Sequence, residues 1–260
     1  METPLASLLG RDRLIVAACL AAATALAWVF LWRMSLDAPG HAMAGMAMAP
    51  TITPAWFAGA FGMWALMMVA MMLPSASPMI LFYAKVATGS PPRPGVVSPT
   101  LVFAGSYLIV WFLFSLLAAA LQGLLIKLGV VSAAALAVGD RRLAGALLIA
   151  AGLYQVTPLK QACLDRCRSP LSFVMRLWRP GWRGAVRLGV IHGLYCLGCC
   201  WMLMALLFVG GVMNLAWVAA LALIVLIEKV APIGAWGSRA LGVAVIAAGG
   251  LLILGASATG

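Results

Sequence analysis

The sequence predicts an all-α membrane protein, a polytopic bundle of about seven transmembrane helices with its N-terminus inside and its C-terminus outside. Of the 260 residues, 65% are hydrophobic and only 9% are charged, whereas soluble domains average about 25% charged residues. Most of the hydrophobic residues lie in runs long enough to cross a bilayer. The Lys and Arg residues gather between these runs, as expected for loops beside a membrane.

Seven apolar runs mark the predicted spans. The first follows Arg11 and Arg13, and we interpret it as an uncleaved anchor, because the hydrophobic region of a signal peptide would be only about 7–15 residues long. The fourth is short for a span. The runs cover residues 14–31, 55–83, 101–126, 143–156, 185–209, 213–227 and 240–254.

The chain is expected to have two parts and a fixed orientation. Residues 1–54 would form an anchor helix and an exterior Met-rich loop, and residues 55–260 a six-span metal-binding domain. With the N-terminus inside, 13 of the 17 Lys and Arg residues fall in inner segments, which suits a multi-pass protein of the bacterial inner membrane. The net charge of +11 is then explained by topology and by an anionic cytoplasmic leaflet, so we expect no nucleic-acid partner.

The main polar segment lies between the fourth and fifth spans, from residue 160 to residue 187. It holds seven Lys and Arg residues and one acid, Asp165. Apolar residues recur between the arginines at helical spacing, which predicts an amphipathic helix on the anionic leaflet. Those residues are Phe173, Val174, Leu177 and Trp178.

The motif HGLYCLGCCWMLM, residues 192–204, carries the strongest functional signal. On a helix, His192, Cys196, Cys199 and Cys200 fall within about 100° of one another, on one stripe. Three thiols and an imidazole form a soft ligand set, suited to copper(I) or zinc. Buried cysteines often only pack, but this stripe holds three of the six Cys and one of the two His. We therefore predict metal binding here.

Methionines form two rows on the second span, in MWALMMVAMMLPSASPM. Met63, Met67 and Met71 repeat at i, i+4 and i+8, and Met68 and Met72 form the other row. Thioethers suit copper(I), whereas the alternative is that methionine fills gaps in the core. In the predicted topology these rows lie at the same depth as the thiols.

Two prolines lie inside the second span, and two charged residues lie at the end of the sixth. Pro74 and Pro78 are expected to break or kink the second helix and to free backbone carbonyls. Glu228 and Lys229 close the sixth span, where they would pair with each other at the interface.

Two more groups of soft ligands flank the membrane. Cys163 and Cys167, at i and i+4 in the polar segment, would form an inner metal or redox site. An exterior loop, HAMAGMAMAP, offers imidazole and thioethers, or is merely a linker that contains methionine. Its candidate ligands are His41, Met43, Met46 and Met48.

These motifs resemble the family of predicted metal-binding integral membrane proteins, a bacterial family grouped as a domain of unknown function. The matching stretches are MWALMMVAMMLPSASPMI, YQVTPLKQACLDRC, HGLYCLGCCWMLM and LIVLIEKVAP, at residues 63–80, 154–167, 192–204 and 223–232. The resemblance implies metal binding within the membrane, without an established reaction.

Three functions are compatible with these observations. The first is copper uptake or delivery through the chain of Met, Cys and His ligands, with a metallochaperone or cuproprotein as partner. The second is a membrane redox or electron-transfer subunit, since Cys199 and Cys200 are vicinal. The third is a structural zinc site without transport. No haem or dinucleotide motif occurs, so an enzymatic role is the less favoured interpretation.

Overall fold

A computed structural model of the chain describes residues 4–37, 52–87, 98–132, 136–231 and 234–258. Within these ranges the protein is all-α, as predicted, with an isolated bridge between Val131 and Val138. The helices of the described ranges, in chain order, are α1 (Pro4–Asp37), α2 (Pro54–Ala87), α3 (Pro99–Lys127), α4 (Arg141–Gln155), α5 (Pro158–Arg168), α6 (Pro170–Leu177), α7 (Gly181–Ala205), α8 (Leu207–Gly210), α9 (Leu215–Val230) and α10 (Gly234–Ala258).

Five of these described helices, α1, α2, α3, α7 and α10, are long and apolar enough to cross a membrane. A sixth span results if α4 and α5, which meet at a 63° bend, count as one broken span. Helix α9 coincides with the predicted sixth span but has only 16 residues. The count of about seven and the orientation therefore stay predictions.

The surface of the bundle is apolar and part of its interior is polar. Large apolar side chains such as Leu117, Trp236 and Leu251 are exposed on α3 and α10. Charged side chains, including Lys160 and Glu228, are buried. Contiguous exposed apolar surface marks membrane contact, and charges in such proteins face the bundle interior. The fold is thus compatible with a membrane protein.

Helix α2 continues through both of its prolines, so Pro74 and Pro78 do not break it, and the alternative of a kink stays a prediction. The expected freeing of carbonyls is confirmed, because a proline cannot donate to the carbonyl four residues earlier. The indole Nε1 of Trp28 donates to the Ala70 carbonyl at 3.2 Å, and the Ser77 hydroxyl donates to the Pro74 carbonyl at 2.8 Å. Side-chain donors therefore keep the helix intact.

Polar side chains cap the N-termini of three helices. Asp140, Thr157 and Asn214 accept hydrogen bonds from backbone N–H groups in the first turns of α4, α5 and α9. The Asp140 carboxylate accepts from Arg142 at 2.6 Å and from Leu143 at 3.0 Å. These hydrogen bonds lower the pKa of Asp140 because they favour its charged form.

Helix α6 lies in the segment that was predicted to form an amphipathic surface helix, and its burial corrects part of that prediction. Phe173 and Val174 are buried by protein, and the Phe173 ring lies 5.6 Å from the His192 ring. Leu171 and Met175 are the exposed apolar residues of this helix. The apolar side that was expected to enter the lipid therefore covers the protein interior, because the chain folds back over α7.

Helices α4 and α10 pack through glycines spaced seven residues apart. A Cβ added at Gly249 would lie 2.6 Å from the Gly145 carbonyl oxygen, and one added at Gly152 would lie 2.6 Å from the Gly242 carbonyl oxygen. Small residues let helix backbones approach closely in membranes. Backbone contact at these glycines therefore holds α10 on α4.

We expect Gly249→Ala to destabilise the protein and Gly250→Ala to leave it unchanged. The first methyl group would overlap α4, whereas a Cβ at Gly250 meets nothing within 4 Å. Forcing extra atoms into a packed interface costs about 1–3 kcal/mol. Thermal unfolding in detergent measures the difference, and equal midpoints for the two variants would contradict this packing.

Candidate metal centre

Close packing of α3 against α7 positions the central motif. A Cβ added at Gly189 would lie 2.8 Å from Ser106 Cβ, and one added at Gly193 would lie 2.8 Å from Val110 Cγ2. The two helices can approach this closely because both positions lack side chains. Cys196, one turn further along α7, is thereby directed into the core and is fully buried.

The three thiols of α7 form a buried cluster. The Cys199 and Cys200 thiols donate to the Cys196 carbonyl at 3.1 and 2.9 Å. Both donors therefore share one acceptor, one turn before them on α7. The predicted stripe thus places all three thiols together.

Helix α2 brings a thioether to this cluster. Met72 Sδ lies 4.0 Å from Cys200 Sγ, and both side chains are buried. The Met72 carbonyl accepts hydrogen bonds from the hydroxyls of Ser75 at 2.9 Å and Tyr107 at 3.2 Å, which fixes this turn. The first predicted row, Met63, Met67 and Met71, is also buried in α2. The thioether that contacts Cys200, however, belongs to the second row.

Helix α5 adds the predicted inner pair. Cys167 is buried on α5, which packs against α7. Cys163 is half-buried, and its Sγ lies 3.0 Å from where a Cβ on Gly198 would stand. Sulfurs therefore continue from the core cluster through Cys167 and Cys163 to a partly exposed position.

A buried amine contacts the cluster from α9. Lys229 Nζ lies 2.7 Å from Cys196 Sγ and donates to the Ser75 hydroxyl at 3.1 Å. The Tyr107 hydroxyl lies 3.1 Å from the same sulfur. Lys229 sits in the last turn of its helix, where the helix dipole favours a positive charge. Cys196 is thus the thiol that polar side chains contact directly.

His192 occupies an aromatic cage one turn before Cys196. Its ring stacks on those of Tyr107 at 5.3 Å and Phe103 at 6.1 Å, and Phe173 meets its edge. His192 is buried, and its Nδ1 has no hydrogen-bond partner among the residues that the structure describes. Its role as a metal ligand stays a prediction.

Glu228 and Lys229 do not pair with each other, contrary to expectation. Glu228 Oε1 lies 2.6 Å from Nζ of Lys160, a residue that was expected in the exposed polar segment. The Gln155 side chain hydrogen-bonds to both. Successive helical residues point about 100° apart, so Glu228 faces α5 whereas Lys229 faces α2 and α7.

The described ranges contain no group of three or more His, Cys, Asp or Glu side chains arranged to hold a metal ion. The ligand set that fits a soft cation best is therefore a smaller one, which consists of the thiols of Cys196 and Cys200 and the Met72 thioether. The exterior candidates lie outside the described residues, so their contribution stays a prediction. They are His41, Met43, Met46 and Met48.

Comparison with protein families gives one match, to a family model named PpoB2 and described as a copper chaperone, over residues 61–252. The chain belongs to this copper chaperone family. The match covers α3 to α9 completely and contains every cysteine of the cluster and of α5. Comparisons with curated proteins and with solved structures found no match.

Membership of the copper chaperone family is consistent with copper binding by this chain. It agrees with the metal-binding family that the motifs resemble, and it favours copper over the zinc alternative. Sequence reasoning missed Tyr107 and Ser75, and it did not connect Lys229 to a thiol. No local pattern marks these residues, because each reaches the cluster from another helix.

Proposed function

We propose that this chain is a bacterial inner-membrane protein that binds copper(I) in its buried sulfur cluster and passes it on by ligand exchange. The observation that carries the proposal is the buried Cys200 thiol, which contacts the Met72 thioether and the carbonyl of Cys196 in the core. Thiolate and thioether ligands select copper(I) among the common metals. Copper is here the cargo of the protein.

The thiols of α5 would connect this site to one side of the membrane. The Cys199 and Cys200 thiols both donate to the Cys196 carbonyl, and α5, which carries Cys167, packs against α7, so copper could move between sulfurs of the two helices without leaving a soft ligand. Cys163 is the half-buried member of the series. With the predicted N-in topology, this end faces the cytoplasm and its anionic leaflet, where a metallochaperone or cuproprotein would exchange copper.

The remaining predicted ligands would extend the route towards the exterior. Met63, Met67 and Met71 follow one another along α2 towards its start, and the Met-rich loop precedes that helix. His192 is proposed as a ligand of a neighbouring position, because its buried Nδ1 has no hydrogen-bond partner within the described part of the chain. In this scheme residues 1–54 contribute the anchor helix and the exterior Met-rich loop of the route. Residues 55–260 form the metal-binding domain.

Loading the detergent-purified protein with copper(I) under reducing conditions tests the proposal. We expect about one tightly bound copper per chain, since the cluster offers one complete set of soft ligands. Cys200→Ser should lose most of this copper, because it removes the sulfur between Cys196 and Met72. Cys19→Ser is the matched control, since Cys19 is exposed on α1. Zinc in place of copper would favour the structural-site alternative, and copper retained in Cys200→Ser would contradict the site.

A further inference from the structure

Among the described residues, no carboxylate pairs with the charge of Lys229. Its Nζ contacts the Ser75 hydroxyl and Cys196 Sγ. The neighbouring acid, Glu228, is instead paired with Lys160. Lys229 is 8% exposed, so water provides little compensation. Cys196 Sγ is therefore the atom at which a thiolate charge would face this ammonium group.

Net charge decides which cation such a site can hold, because an uncompensated charge in an apolar interior is costly. Two thiolates and a monovalent ion carry a net charge of −1, which Lys229 brings to zero. Two thiolates and a divalent ion are already neutral, and Lys229 would raise the sum to +1. A thioether adds no charge in either case.

We propose that Lys229 makes the sulfur site selective for monovalent soft cations, copper(I) and silver(I), over divalent cations with the same ligand preference, zinc and cadmium. This inference rests on the proposed copper site. It adds a specificity-determining residue that does not itself bind the metal. We count two thiolates because Cys200 contacts both Met72 Sδ and the Cys196 carbonyl, Cys196 Sγ contacts Lys229, and no larger set converges among the described residues.

Competition between silver(I) and cadmium for the full-length protein in detergent tests the inference. Lys229→Gln removes the charge and keeps a donor, whereas Lys229→Arg keeps the charge. We expect Lys229→Gln to lower the silver-to-cadmium affinity ratio at least about tenfold, because a unit charge a few ångströms from the metal is removed. Lys229→Arg should keep the ratio of the unmodified protein.

A second pair of variants tests the same charge without changing Lys229. Ser75→Asp places a carboxylate beside the ammonium group and should lower the silver-to-cadmium affinity ratio as Lys229→Gln does. Ser75→Asn introduces a side chain of the same shape as Asp but without its charge, and it should leave this ratio unchanged. The pair keeps the test decisive if Lys229→Gln does not fold.

The outcomes separate this inference from the proposed function. If silver(I) binds in a Cys200-dependent way but neither Lys229→Gln nor Ser75→Asp changes the ratio, the inference is overturned and the copper site stands. If the unmodified protein binds no silver(I) or copper(I) through Cys200, both are overturned. A lowered ratio in both charge variants, with Lys229→Arg and Ser75→Asn unchanged, supports the inference.

Discussion

Glu228→Gln is expected to destabilise the protein by about 3–5 kcal/mol, because it would leave the buried ammonium group of Lys160 without its counter-charge. Lys160 is fully buried, and its Nζ lies 2.6 Å from Glu228 Oε1. The same ion pair ties α5 to α9, and Arg168 Nε adds a hydrogen bond to the Glu228 carbonyl at 2.5 Å. Denaturant unfolding in detergent measures the loss.

Two controls distinguish the buried pair from the effect of removing any acid. Asp165→Asn removes an exposed carboxyl group from α5 and should change stability by less than about 0.5 kcal/mol. The double variant Glu228→Gln/Lys160→Met removes both charges and should be more stable than Glu228→Gln alone. If Glu228→Gln were as stable as Asp165→Asn, the pair would not hold α5 in place.

Cys163→Ser/Cys167→Ser is expected to slow copper release at least about tenfold while leaving the bound copper unchanged. The two thiols lie between the buried cluster and the exposed end of the series, so their loss removes the intermediate ligands but not the site. Stopped-flow transfer of copper(I) from the loaded protein to a soluble chelator measures the rate.

The control for copper release is Cys19→Ser, which removes an exposed thiol of α1 and should release copper at the unmodified rate. Each single variant should show an intermediate effect, because one thiol of the series remains. Equal rates for the double variant and the control would mean that copper leaves by another route. Loss of bound copper from the double variant would instead place these thiols in the site itself.

The helices were predictable from the sequence because each is marked by local features. An apolar run between charged or proline-rich segments identifies α2, α3 and α7, and the cysteine spacing in the central motif predicts that Cys196, Cys199 and Cys200 share a face. The clustering of these thiols follows from helix geometry alone.

The polar partners of the cluster were not predictable, because they depend on contacts between distant parts of the chain. Lys160 looks like one more cation of a basic loop, and only the bend between α4 and α5 brings it to Glu228. Likewise, the packing of α9 against α2 and α7 decides that Lys229 meets Cys196. A proline predicts a freed carbonyl at Ala70, but not that Trp28 binds it.

X-ray absorption spectroscopy of the copper-loaded protein tests the central claim most directly, because it reports the oxidation state and the ligand atoms together. We predict copper(I) with a first shell of sulfur that contains thiolates of α7, and the loss of a sulfur ligand in the residual copper of Cys200→Ser. A first shell of oxygen and nitrogen that Cys200→Ser leaves unchanged would contradict the claim that the buried sulfur cluster binds copper.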